Sequence, residues 1–219
     1  ESEVGECKDW RERPQEYYSA GIGIKFTHVF NRKPGPRFRV SCYRAFCYLC
    51  RQITENTMIS IARLTFNPFL ENTYVISDAT GECVIIDAGN YSAGEDRKLV
   101  DFITEKQLRP VMALNTHGHV DHLLGVSFVT DTWDVPFALR GEDNFLVETA
   151  LEHGKIYGFQ VRSTPTVGID LAESAQIKFG ETTLEVIHTP GHTPGHLCFY
   201  EPEQKILFSG DTLFRESIG

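Results

Sequence analysis

The chain has 219 residues, 41% hydrophobic and 23% charged, with a formal net charge of −9. That length suffices for one domain with a buried core, and the acidic balance argues against nucleic acid as a partner. No apolar run approaches the roughly 18 residues of a membrane-spanning helix and no basic stretch leads into an apolar one, so neither a membrane nor a signal peptide is expected and the reading is cytoplasmic.

Residues 1–57 and 58–219 differ in character. Lys and Arg outnumber Asp and Glu by ten to seven in the first and are outnumbered eleven to twenty-three in the second, giving +3 and −12. The leading segment concentrates Arg, Tyr, Pro and Cys in RERPQEYY, NRKPGPRFRV and SCYRAFCYLC without a sustained period of 2 or 3.6, and is expected to be an irregular extension. No methionine precedes Met58, which is expected to be the natural start. Cys42, Cys47 and Cys50 have the C-x4-C-x2-C spacing of some iron–sulfur proteins. The fourth thiol would have to be Cys83, in a core strand, and no glycine-rich loop surrounds the others, which argues against a cluster. Six cysteines spread over a chain too long to need disulfide staples are expected to be reduced thiols.

From Met58 the pattern becomes regular. ISIARLTF, NTYVIS and CVIIDAG read as three strands, with a turn at Asp78 to Gly81. A helix is expected over about residues 95–107, closed by Pro110, and the strand VMALNT leads to His117. DHLLGVSFVT reads as one helix, PFALR as a strand and EDNFLVETALEH as a longer helix. AQIKFG, TTLEVIHT, HLCFYE and KILFSG complete the strands, which suggests layered sheets covered by helices.

The chemistry concentrates at three strand ends. THGHVDH supplies His117, His119, Asp121 and His122 within six residues, and neutral imidazole and carboxylate are donors that Zn²⁺ accepts. His117 and His119, two apart, can point the same way in an extended segment, whereas Asp121 and His122 lie at a turn into a helix and can face a second ion. Gly118 between them permits positive φ or a close backbone approach. HTPGHTPGH follows another strand and offers His188, His192 and His196 among rigid Pro-Gly turns; any one would complete a three-histidine site, and His192 sits at the centre. Asp211 in SGDTLF follows an apolar strand, where it could cap a turn or bridge two ions. Asp87 in VIIDAG reads equally well as a turn residue or a partner of the ligands.

THGHVDH, HTPGHT and SGDTLF in that order resemble the metallo-β-lactamase superfamily, and HTPGHTPGH with FSGDTLFRESIG is most similar to its hydroxyacylglutathione hydrolase (glyoxalase II) branch. The resemblance covers residues 58–219 and implies an α/β fold, a four-layer αββα sandwich with metals at one edge. It assigns His117, His119 and His192 to a first Zn²⁺ and Asp121 and His122 to a second, with Asp211 bridging; iron or manganese can replace zinc. It implies hydrolysis of an acylglutathione-like thioester by a metal-bound hydroxide that Asp121 orients. A mononuclear iron persulfide dioxygenase of the same superfamily is the alternative enzyme. The family draws a further histidine for the second metal, and its glutathione contacts, from beyond SGDTLF, whereas this chain ends at Gly219. The domain is therefore expected to be truncated, holding one ion tightly and a second weakly with slow turnover, or to be an inactive metal-binding fragment.

Overall fold

The computed structural model describes residues 58–171, 175–214 and 217–219. The expectations for residues 1–57, including Cys42, Cys47 and Cys50, lie outside the described residues. The first sheet runs in chain order: β1 (Ser60–Phe66), β2 (Glu71–Ser77), β3 (Glu82–Ile86), β4 (Arg109–Leu114), β5 (Phe137–Leu139) and β6 (Ile169–Asp170). Its first three strands are an antiparallel meander, and β3 to β6 are parallel. Parallel strands need crossovers. These are supplied by α1 (Ala93–Glu105), then α2 (Val120–Leu123) with α3 (Val126–Trp133), then α4 (Asn144–Glu148) with α5 (Ala150–Ile156). The second sheet is antiparallel, in the order β10 (Ile206–Phe208), β9 (Leu197–Glu201), β8 (Thr182–His188), β7 (Gln176–Phe179).

Alternation along β3 shows why its sequence is apolar throughout. Cys83 and Ile85 face a core shared with Leu99 and Ile103 of α1 and with residues of the other four helices. Val84 and Ile86 face the opposite way, into a second core with Leu184, Val186, Leu197 and Phe199 of the second sheet. A strand covered on both faces reads as a continuous hydrophobic run. Cys83 is fully buried, and burial pushes its thiol up to about 12, as befits a small core hydrophobe. The described helices thus cover one sheet and the two sheets pack face to face.

Two helices are shorter than the sequence suggests. DHLLGVSFVT is split between α2 and α3 at Gly125, whose N–H donates to the Ala88 carbonyl at 2.7 Å. A Cβ there would collide with Asn90, so the glycine lets the chain pass close beneath the β3 end. EDNFLVETALEH divides into a 3₁₀ turn at Gly141–Asp143, then α4 and α5. Thr149 at the second break donates its hydroxyl back to the Phe145 carbonyl at 2.7 Å, a contact that bends helices. By contrast α1 begins as its sequence dictates, with a capping box of Ser92 and Glu95.

Candidate metal centre

The C-terminal ends of β3 and β4, the β8–β9 turn and the segment after β10 bring their polar residues together. His117 and His119 leave β4 in extended backbone, and His117 Nε2 lies 3.0 Å from His119 Nδ1. His192, from the second sheet, places its Nε2 2.9 Å from the same His119 Nδ1. Three ring nitrogens therefore converge with one of them facing both others. A single N–H on His119 cannot point at both partners, whereas a cation among them satisfies all three lone pairs. Tetrahedral Zn²⁺ with nitrogens at roughly 2.0–2.1 Å would space them about 3.3 Å apart, close to what is seen.

A second group lies beside the first. His122 Nε2 is 3.6 Å from Asp121 Oδ2 and 3.6 Å from Asp211 Oδ1, and the other Asp211 oxygen is 3.5 Å from His192 Nε2. Asp211 thus spans the two groups, and the rings of His117 and His122 are 4.2 Å apart. His117, His119 and His192 form one cluster able to hold an ion; His117, His122 and Asp211 form another.

Electrostatics suit cations. Burial and the neighbouring imidazoles hold His117 well below the usual histidine range and His119 below it, so both are neutral donors at neutral pH. Burial opposes charge on His122, but Asp87, Asp211 and Asp121 outweigh it and lift it well above that range. Burial alone would raise Asp211, yet His122, His192 and His196 bring it below the usual carboxylate range. Three carboxylates around one buried imidazole leave negative charge for a metal to neutralise.

Residues 66–219 match the family described as the metallo-beta-lactamase superfamily. The chain belongs to that superfamily. It is 34% identical to "Probable metallo-hydrolase YqgX" of Bacillus subtilis over 160 residues, covering 72% of each chain. It is 32% identical to "Hydroxyacylglutathione hydrolase GloC" of Haemophilus influenzae, covering 74% of this chain and 75% of that one. Among solved structures it is similar to "TTHA1623 in a di-iron-bound form", with a TM-score of 0.64 and 34% identity over 72% of this chain and 75% of that one.

The superfamily core here is braced by groups that the motifs alone do not reveal. Asp87 accepts from the Thr116 backbone N–H at 2.7 Å and from the Thr116 hydroxyl at 2.8 Å. Having given its proton to Asp87, that hydroxyl can only accept from His117 Nδ1 at 3.0 Å, which leaves His117 Nε2 unprotonated towards the cluster. The same Asp87 carboxylate lies 3.3 Å from His122 Nδ1 without hydrogen-bond geometry, so one buried acid sits against His122 and reaches His117 through Thr116. His196 is fully buried and joins neither cluster: its Nδ1 faces the hydroxyls of Thr189 and Thr212 at 2.9 and 3.0 Å, while its Nε2 accepts the Asp211 backbone N–H at 3.2 Å. Burial lowers its pKa to about 4, consistent with that acceptor role. His188 donates from its ring to the Pro194 carbonyl at 2.9 Å and braces the loop. Gly118 has ordinary negative φ; it serves the close approach, since a Cβ there would meet Leu146 and Asp143.

Glu71 lies under this network, 5% exposed, with Oε1 lacking any partner. Burial raises its carboxyl well above the usual range, against the pull of His122. Thr73 Oγ1 bonds the Asp87 carbonyl at 2.7 Å and accepts the Gly89 N–H at 2.9 Å, so its 2.9 Å contact with Glu71 is filled by a protonated carboxyl. The folded state keeps a proton that the unfolded chain releases above about pH 4.3. Its contribution to stability is therefore complete below that value and is lost as pH rises through the raised folded value. Glu71→Gln, whose amide can donate to Thr73 as the acid does, is expected to raise the thermal midpoint at pH 7 and not at pH 4. Melting curves at the two pH values check this, and a gain of equal size at both would contradict it.

Proposed function

We propose that the protein is a metal-dependent hydrolase of small-molecule thioesters of the hydroxyacylglutathione type, acting at a two-ion centre that zinc or iron can fill. The observation that carries this reading is the pair of adjacent donor groups spanned by Asp211. His117, His119 and His192 would hold one ion and Asp121 and His122 the other, with Asp211 between them. Nitrogen and oxygen donors in this mixture suit zinc, iron and manganese. Bound cations there supply a Lewis acid for the carbonyl and bring the pKa of water down to about 7.

The protein's own groups account for the rest. The Asp121 side chain is 23% exposed and 3.6 Å from His122 Nε2, so its carboxylate can accept a proton from an attacking water and fix the water's orientation. Its main chain is held from outside the motif: the Asn67 carboxamide donates to the Asp121 carbonyl and to the Gly89 carbonyl, both at 3.0 Å. A departing thiolate, with a thiol pKa of about 8.5, needs little help from a general acid. Likeness to the Haemophilus hydroxyacylglutathione hydrolase over three quarters of its length supports the choice of thioester.

The test measures thiol release from a hydroxyacylglutathione thioester by protein reconstituted with Zn²⁺ or Fe²⁺, alongside oxygen uptake on glutathione persulfide. Thiol release that needs the metal and continues without oxygen is expected. Oxygen uptake on the persulfide with an intact thioester would replace this reading with an oxygenase.

A further inference from the structure

Asp143 ends the 3₁₀ turn Gly141–Asp143 ahead of α4, and it is completely buried. A buried carboxylate is costly unless donors surround it. Every donor it finds comes from the two histidine loops. Oδ2 accepts from the Gly118 N–H at 3.0 Å and from the Thr193 hydroxyl at 2.7 Å, and Oδ1 accepts from the Gly195 N–H at 2.7 Å. Gly118 stands between His117 and His119, on the loop leaving the first sheet. Thr193 and Gly195 follow His192, in a turn of the second sheet. One carboxylate therefore straps together the loops that supply the three converging nitrogens.

The two glycines agree with this. A Cβ on Gly195 would lie 2.8 Å from the Asp143 carboxyl carbon, and one on Gly118 would lie 3.3 Å from the Asp143 Cβ and 3.0 Å from its carbonyl oxygen. Neither has positive φ, so closeness to Asp143, and for Gly118 to Leu146 as well, is what their missing side chains provide. We infer that Asp143 is the positioning residue that sets the spacing between the His117–His119 pair and His192, and with it the affinity and geometry of the first metal site. It touches no ligand nitrogen. It acts by fixing both loops through charge-assisted hydrogen bonds, where a displacement of about 0.5 Å already degrades a metal site.

The inference rests on His117, His119 and His192 being ligands, so its test separates the two claims. Asp143→Asn keeps the volume but turns one accepting oxygen into a donor that must face another donor. Gly195→Ala pushes on the same carboxyl from the other side. The control is Asp78→Asn: Asp78 is also buried and accepts from Thr80, Glu181 and Thr182, but it ties the β2–β3 turn to the β7–β8 turn. Zn²⁺ affinity of the folded protein is read by competition with a coloured chelator, and site geometry from the visible spectrum of bound Co²⁺.

Asp143→Asn and Gly195→Ala are each expected to weaken Zn²⁺ binding by about 10- to 100-fold and to alter the Co²⁺ bands. Asp78→Asn should lower the thermal midpoint while leaving affinity within about twofold. Affinity unchanged in Gly195→Ala, or a loss in Asp143→Asn no larger than in Asp78→Asn, overturns the inference. His192→Ala in the same assay isolates the underlying reading: if that variant also binds normally, the ligand assignment fails and not merely the strap.

Discussion

Replacing His192 with alanine is expected to weaken the first metal site by about two orders of magnitude, while His188→Ala changes affinity no more than a few-fold. A structural zinc site is worth about 10–16 kcal/mol, so one of four ligands carries about 3 kcal/mol, or roughly a factor of 100. His192 Nε2 faces His119 Nδ1 at 2.9 Å and Asp211 at 3.5 Å, inside the cluster. His188 spends its ring on a loop carbonyl. His196→Ala should fall between them, because His196 holds the main chain of Asp211 without reaching the ions. Competition with a coloured chelator ranks the three. Equal losses would mean that the ligand of the HTPGHTPGH loop has been misassigned.

Asp211→Asn is expected to have the largest effect on turnover, lowering thioester hydrolysis by about 10³-fold, because charge stabilisation by the ions is worth several kcal/mol and this carboxylate faces both groups. Its two oxygens lie 3.6 Å from His122 Nε2 and 3.5 Å from His192 Nε2. The amide would still hydrogen-bond but would neutralise neither cation. The first ion keeps three imidazoles, so metal retained after dialysis should fall less than the rate does. A rate within tenfold of the parent would show that Asp211 does not join the two ions.

How much of this was legible in the sequence follows from how local each signal is. The β1–β3 meander, α1 and the second sheet depend on periodicity and turn residues within a few positions, and they stand where those signals place them. The six residues read as candidate metal donors sit in short motifs; the fold gathers five of them into two groups able to hold an ion and leaves Asp121 beside them, 3.6 Å from His122. Asp143 was invisible because an acid in the first turn of an expected helix reads as a partner of the helix N-terminus, and its real partners lie 25 and 52 positions away. Thr116 and Asp87 are 29 positions apart, so the relay that sets the His117 tautomer needs the β3–β4 pairing to exist. The splits at Gly125 and Thr149 show the same limit, since backbone demands from Ala88 and from the preceding turn override a helical pattern.

Anomalous scattering from crystals of the protein loaded with Zn²⁺, recorded across the zinc edge, tests the central claim most directly. The expected result is a peak about 2.0–2.2 Å from His117 Nε2, His119 Nδ1 and His192 Nε2, with Asp211 within reach of it. Zinc bound elsewhere on the protein, with these three nitrogens still hydrogen-bonded to one another, would contradict the account.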